Sequence, residues 1–510
     1  MLSGLVRKIP LLEAFRAYLY DQLSPTSEHL IAARLKRKDY QTELDISESV
    51  SQSTLNRFPD RLKDLLSEYL QGEIEEIACK VQEMKLSEYV RNPQSVEKAV
   101  DGEGVPPVII ITRDLRELSY PYLTFDRDDS TIHSLDAFIS LLVSAAAHDE
   151  FVEEAAENQD LTPGAGSTVP TRRTLQYHLQ EFKPAEISRR FTAANSILFE
   201  EAEDRGYFTD QYEIAIDITD WAYFGDEDVH RLIHGTKPGR NYTYAFQFAS
   251  LSLVGTNMPL TMAALPVRSQ KNKGALVRRL IRSATEYVGV ERAYLDSGFY
   301  QTNATRALLN TDTDFVMQAK KNSEKIEELI DEAIEDGRKW NITPHGVGDI
   351  KDGRHWLIAL LAEKKPQLRT GKPDDPHDNW TVLYMNIEPE TLDIDDDEHF
   401  EHGAEKLGER SRRRWGIETS YRLIKRDYLP QSRSRETELR LFYFNFAVHL
   451  YNIWVLSNII RADELKKDLS EDKVFTTKRV LQAIDYDPVE IEVNEEPDLS
   501  EIRRGSDRVF

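Results

Sequence analysis

Arg414, Glu418 and Lys425 lie within one short run, Ser411-Arg-Arg-Arg-Trp-Gly-Ile-Glu-Thr-Ser-Tyr-Arg-Leu-Ile-Lys425, and have the types and spacing for phosphate chemistry. The run has no Gly or Pro after Gly416 and is rich in good helix formers, so a helix is expected. Offsets of four and then seven residues put the three side chains on one helix face. A carboxylate between two cations suits a metal ion beside a phosphate backbone: the carboxylate takes the metal, the guanidinium and ammonium take phosphate oxygens. Taken alone, the run is better explained as a solvated face with Glu–Arg and Glu–Lys pairs. Two upstream carboxylates change that balance. Tyr212-Glu-Ile-Ala-Ile-Asp217 alternates like a strand that delivers Asp217 at its tip, and Val290-Glu-Arg-Ala-Tyr-Leu-Asp296 is a second such strand, with Gly298 allowing a sharp exit. Two carboxylates at strand ends and a third on a helix can converge and hold two divalent cations roughly 3.5–4 Å apart, activating water on one side of a phosphodiester and stabilising the leaving oxygen on the other.

The elements that must position these residues follow in a definite order. After the strand to Asp217 come strands Tyr242–Leu253 and Pro259–Leu265, helix Lys273–Tyr287 and the strand to Asp296, then helix Thr302–Leu309 and strand Phe315–Gln318. Three strands, a helix, a strand, a helix and a strand make a ribonuclease-H-like α/β order. Lys339–Thr343, His355–Leu361 and Trp380–Met385 read as further strands, a β-rich block ahead of the Glu418 helix. The expected division is a helical N-terminal region, 1–100, with candidate DNA binding; a helical region, 101–205, with a candidate helix-turn-helix; first core part, 206–320; β-rich insertion, 321–405; second core part, 406–462; and an acidic, aperiodic tail, 463–510. Within 101–205, Ser134–Glu154 is a helical segment and Pro170-Thr-Arg-Arg-Thr-Leu-Gln-Tyr-His-Leu179 opens a helix. Its Arg172, Arg173 and Gln176 could reach a major groove, as could the polar side chains around Ser51–Arg57. An amphipathic linker helix explains either segment about as well, but the place of the second, just before the core strands, tips it toward DNA binding.

Composition sets outer bounds. At 510 residues the chain can hold more than one domain, and its single cysteine, Cys79, excludes a disulfide framework. No signal peptide is visible, and the apolar stretch Leu439–Ile460 is interrupted by Arg440, Asn445, His449, Asn452 and Asn458, so a buried helix is expected rather than a membrane span. The net charge of -24 is unusual for a protein that neutralises phosphates. Molar salt would reconcile the two, because the screening length there falls to ~3 Å. Other signals weigh less. His230 and His234 lack the glutamate of a zinc-protease helix and read as ordinary helix histidines. Asp220, Asp226, Glu227 and Asp228 are expected to follow the first strand into solvent, and Asp393–Glu398 reads as a solvated acidic run. Gly235-Thr-Lys-Pro-Gly-Arg240 does not end like a nucleotide loop; its Lys237 and Arg240, with Tyr242, are placed instead to touch a DNA backbone. Trp340, Trp356 and Trp380 read as core residues, with stacking on an extruded base as the other use.

Taken together, these residues resemble the DDE cut-and-paste transposases of bacterial and archaeal insertion sequences, in the branch whose glutamate motif runs Tyr-x2-Arg-x3-Glu-x6-Lys. Arg414-x3-Glu418-x6-Lys425 fits that spacing, with Ser411 at the tyrosine position. Asp217 in Ile-Ala-Ile-Asp-Ile-Thr and Asp296 in Tyr-Leu-Asp-Ser-Gly-Phe-Tyr resemble the family's two aspartates. Tyr223-Phe-Gly-Asp-Glu-Asp and Gly416-Ile-Glu-Thr-Ser-Tyr-Arg422 are similar to haloarchaeal members, and the likeness covers roughly residues 170–460. The resemblance implies that Asp217, Asp296 and Glu418 are catalytic and hold two Mg2+ ions, with Mn2+ able to replace them. It implies DNA contacts from Arg414, Arg422 and Lys425, double-stranded DNA partners (terminal inverted repeats and target), and a homodimer or larger synaptic complex. A cytoplasmic, nucleoid-associated protein of a haloarchaeal host is expected, with no membrane partner. Two other functions remain open: a structure-specific nuclease on the same fold, and a catalytically inactive, transposase-derived DNA-binding regulator. Retention of all three carboxylates argues against the regulator.

Overall fold

Strand β1 (Gln211–Tyr223) runs past Asp217 because Ile218, Thr219, Trp221 and Tyr223 continue the alternation of strand-forming side chains. In the computed structural model it lies inside a sheet of nine strands among the described residues. On one side β1 pairs antiparallel with β3 (Tyr244–Val254), which also pairs antiparallel with β2 (Ile233–Gly235) and β4 (Thr261–Pro266). On the other side it pairs parallel with β5 (Gly289–Leu295), itself parallel to β6 (Asp314–Gln318). Beyond β6, strands β7 (Trp340–Pro344), β8 (Trp356–Leu361) and β9 (Trp380–Met385) extend the same sheet antiparallel, in the order β6-β9-β8-β7. The β-rich block expected after β6 is thus continuous with the central sheet. The structure describes residues 105–123, 133–160, 169–208, 211–225, 232–236, 241–254, 256, 259–321, 323–346, 355–361, 376–388, 415–467 and 473–487. The chain divides into two compact units, Met1–Pro107 and Val108–Phe510, and the description concerns the second. The readings for residues 1–100, with Ser51–Arg57, lie outside the described residues.

Helices α1 (Pro107–Ser119), α2 (Leu135–Ala147), α3 (Val152–Asp160), α4 (Arg172–Glu181) and α5 (Pro184–Asp204) precede the sheet. Helices α6 (Gly274–Thr285), α7 (Thr302–Leu309) and α8 (Glu324–Glu335) connect its strands. After it come α9 (Trp415–Leu423), which widens into a π-turn over Ile424–Tyr428, then α10 (Thr437–Glu464) and α11 (Thr477–Tyr486). One sheet face, with Ile214, Ile216 and Phe248, shares a core with α5, α6, α7, α8 and α10; Phe248 stacks on Phe444 of α10 at 3.9 Å. The opposite face carries Ala215, Tyr294 and Val316, against Ile417 and Tyr421 of α9. Helix α10 is buried on nearly every side, which explains its apolar sequence without a bilayer; no described helix is long and apolar enough to cross a membrane.

Several local expectations need correction. Asp217 is mid-strand rather than at a tip, and Asp220 lies within β1 rather than after it. His234 is on β2, its Nε2 2.7 Å from the Val267 carbonyl oxygen, not on a helix; His230 lies outside the described residues. The Ser134–Glu154 segment is two helices, broken where Asp149 takes φ 56°, a left-handed conformation that ends the first. The segment after Ile460 is not aperiodic: α10 continues to Glu464, and α11 buries Val480, Leu481 and Ile484 on one face. Asp487 at its end takes paired hydrogen bonds of 2.9 and 2.7 Å from Arg113 of α1.

Candidate active site

The parallel pairing of β1 and β5 ends at Ile216↔Leu295, so Asp217 and Asp296 are the next residues on two adjacent strands. Neighbouring strands run about 5 Å apart, and residues at matching positions face the same way. Both aspartates therefore stand on the α9 side of the sheet, where the pairing of β5 with β1 ends. In open α/β sheets ligands bind in a crevice outside such strand ends. Asp217 is 8% exposed, and its Oδ1 accepts a 2.9 Å hydrogen bond from Ile218 N–H. Asp296 is held differently: it caps the short turn Ser297–Phe299, its Oδ1 accepting from Gly298 N–H at 3.0 Å. A Cβ at Gly298 would stand 3.0 Å from that oxygen, so the position favours glycine.

Glu418 is on the first turn of α9, with its side chain exposed. The helix is fastened to the sheet by Tyr421, one turn further on and 5% exposed. Its hydroxyl donates to the Asp217 carbonyl at 2.6 Å and accepts from Ser250 N–H at 3.0 Å and Ser250 Oγ–H at 2.9 Å. Asp217 and Ser250 are register partners of β1 and β3, so one phenol ties the Glu418 helix to both strands beside the first aspartate. Burial, then the charge of Asp217, pushes the Tyr421 hydroxyl pKa far up, so it stays a neutral donor. Arg422 and Lys425 are exposed on the same element, and Lys425 Nζ reaches back to the Asp220 carbonyl at 3.4 Å. The π-turn shifts the phase of Lys425 relative to Glu418, which an α-helical period did not anticipate. Arg414 and Ser411 lie outside the described residues, as do Lys237 and Arg240.

A second belt of side chains around the aspartates escaped the sequence reading. Asp220 Oδ1 accepts from Gln247 Nε2 at 2.8 Å, and Gln247 Oε1 accepts from Gln270 Nε2. Gln301 Nε2 donates to the Gln270 carbonyl at 2.8 Å. Inside this belt Lys273 is 3% exposed, its ammonium donating to the Gln270 and Gly298 carbonyls at 3.1 and 3.0 Å. Burial lowers the Lys273 pKa and the nearby Asp296 carboxylate raises it, which puts a cation against the second aspartate. The signal was present in the sequence as a lysine at the start of a helix, but the contact that brings it to the second aspartate, through the Gly298 carbonyl, spans 25 residues.

The donor set of Asp217, Asp296 and Glu418 is all carboxylate oxygen, which fits a hard divalent cation. Yet among the described residues no three His, Cys, Asp or Glu side chains already stand close enough to hold a metal ion. The two aspartates are adjacent on the sheet, and Glu418 is an exposed residue of α9. The fit is one of chemistry: three carboxylates on elements that meet at one face of the sheet. Arg172 and Arg173, on α4, are exposed, but Arg172 Nη1 pairs with Glu153 Oε2 of α3 at 3.0 Å. Both arginines border a depression of about 660 Å³ that Glu153 and Glu157 also line. Trp380 is buried, whereas Trp340 and Trp356 are half-buried.

Among solved structures, the cryo-EM piggyBac transposase synaptic complex with hairpin DNA is similar to this chain at 13% identity and a TM-score of 0.43, over 74% of this chain and 76% of that one. That likeness is too low to bear weight. No curated protein matches the chain. Residues 209–453, from just before β1 to the middle of α10 and including Asp217, Asp296 and Glu418, match the family described as Transposase DDE domain, and so this part of the chain is similar to that family.

Proposed function

We propose that this protein is a DDE-type DNA transposase that cleaves the ends of an insertion sequence and joins the freed 3′-hydroxyl to target DNA. The observation that carries the reading is the placement of Asp217 and Asp296 at matching positions just past the last pair of two parallel strands, with the Glu418 helix fastened over the same face by Tyr421. In this reading Asp217, Asp296 and Glu418 hold two Mg2+ ions, replaceable by Mn2+. When bound, such a pair activates the attacking water or hydroxyl and stabilises the leaving oxygen. The chain's own residues set the geometry. Ile218 N–H and Gly298 N–H each hold one carboxylate oxygen, of Asp217 and Asp296 respectively, which limits the rotamers the two side chains search. Arg422 and Lys425, with Arg414, Lys237 and Arg240, take backbone phosphates of the element end; phosphate contacts of this kind fix register on the duplex. Arg172 and Arg173 read the end from α4, and two or more copies bring two ends together.

Asp217→Ala, Asp296→Ala and Glu418→Ala should each abolish strand cleavage of an element-end duplex in Mg2+ while leaving its gel shift nearly unchanged, because each carboxylate serves the metal and none reads the duplex. Cleavage at the unaltered rate in all three variants would sink the assignment.

A further inference from the structure

Residues 229–285 contain nine Lys and Arg and no Asp or Glu, in a chain with 89 acidic residues in 510. At the chain's average density a stretch of that length would carry about ten carboxylates. Buried strands β3 and β4 explain part of the absence, because interiors exclude charge. They do not explain α6, a surface helix whose exposed positions Ala275, Arg278, Arg282 and Thr285 hold no acid. Helix α8, against the same sheet face, shows the contrast: it exposes Glu324, Glu327, Glu328, Asp331, Glu332 and Glu335.

We propose that the outer face of α6, with Lys271, Arg278 and Arg282, is a docking track for the phosphate backbone of duplex DNA, outside the catalytic crevice. Arg278 and Arg282 are one helical turn apart, about 6 Å along the axis, and Lys271 lies in the bend just before the helix begins. All three are exposed, and among the described residues no carboxylate lies within ion-pair distance of them. Between α6 and the end of α7 is a depression of about 460 Å³, lined by Arg278, Arg282, Thr285, Asn310 and Thr311. Two guanidinium groups with a hydroxyl and an amide beside them suit a phosphate's oxygens. Behind the stripe Arg279 is half-buried, and its pKa is lowered by burial and then by the like charge of Arg268. An anion on this face would relieve that repulsion. The stripe starts beside Lys273 and Asp296 and leads away from them, so a duplex lying on it would continue from one entering the crevice.

The proposal rests on the transposase reading for the identity of the DNA, which is either the flank of the element end or the target. Test it in the full chain with Arg278→Gln/Arg282→Gln and Arg278→Glu/Arg282→Glu, confirming unchanged thermal unfolding. Duplex affinity by fluorescence anisotropy should fall in the first and further in the second. The slope of log affinity against log salt should shrink by about 2 in the first, at roughly 0.9 per lost phosphate contact. Loss of end cleavage and of strand transfer from pre-cleaved ends assigns the track to the element flank; loss of transfer alone assigns it to target DNA. Unaltered affinity and slope in both variants overturn the proposal. If the slope shrinks as expected while Asp217→Ala leaves cleavage intact, the docking track stands and the transposase reading falls.

Discussion

Tyr421 carries more of the site's geometry than its chemistry would suggest. Its hydroxyl is shared by the Asp217 carbonyl, Ser250 N–H and Ser250 Oγ, all in a buried region. Tyr421→Phe keeps the ring and leaves those groups without their common partner, which costs about 1–3 kcal/mol for buried polar groups. The same loss loosens α9 over the aspartates. Urea unfolding should therefore show a lower midpoint for Tyr421→Phe, and cleavage should drop further than DNA affinity does. Wild-type stability together with wild-type cleavage would show that the bridge is dispensable. None of this was visible from the run Ser411–Lys425, where the tyrosine is one more helix residue. A hydrogen bond to a residue 204 positions away has no local signature. That Asp217 and Asp296 sit on or beside two strands, by contrast, was legible, because a carboxylate that breaks an apolar alternation is a local pattern.

Among the elements, short apolar strands buried on both faces came through the sequence well. β5, β6, β8 and β9 fall within about two residues of expectation, and α7 spans the residues expected of it, Thr302–Leu309. β1 was cut short at Asp217 because a carboxylate looks like a strand end; its ladder with β3 holds it in register through Tyr223↔Tyr244. The joining of β7, β8 and β9 to β6 could not be read, since strand order is set by contacts distant in sequence. Helix α10 was legible as buried but not for how its polar residues are used. His449, within it, has Nδ1 3.2 Å from Asn195 Oδ1 of α5 and Nε2 3.1 Å from Ser119 Oγ of α1, and Asn452 Nδ2 donates to the same Asn195 oxygen at 3.0 Å. Burial pushes the His449 pKa down to about 3, from an ordinary 6.5. Between those values the unfolded chain binds a proton that the folded chain refuses, so stability rises with pH and is lost on acidification from 6.5 downward. The loss approaches about 1.4 kcal/mol per pH unit. Asp114 and Asp485, whose carboxyl pKa values are raised mainly by burial, act oppositely nearer pH 4 but are common to both proteins in a comparison with His449→Gln. Thermal midpoints from pH 7.5 to 5 should fall more steeply for the unaltered chain than for His449→Gln, and parallel curves would refute the assignment.

The molecule as a whole sets an acidic total against a basic local surface. A formal charge of -24 repels DNA at low ionic strength and strains the compact state through self-repulsion. Two stretches run strongly the other way: the carboxylate-free 229–285, which comes beside Asp296 through Lys273, and 410–435, where nine Lys and Arg are set against only Glu418 and Asp427. Concentrated salt shortens the screening length to ~3 Å at 1 M, which removes the diffuse repulsion while contacts between touching groups persist. The long-range part of binding should then be weak, and recognition should lean on shape and base contacts. We therefore expect folding and cleavage to need salt on the order of molar concentration, as in a halophilic host. Circular dichroism and end cleavage followed from about 0.1 M to several molar KCl decide the matter. Rising signal in both supports the screening argument, and charge-neutralising substitutions on α8, such as Glu328→Gln with Glu332→Gln, should then lower the salt required. Full folding and full activity at the low end would remove that argument. The acidic surface would then need a different cause, and the α6 stripe would have to bind DNA against the whole charge of the chain.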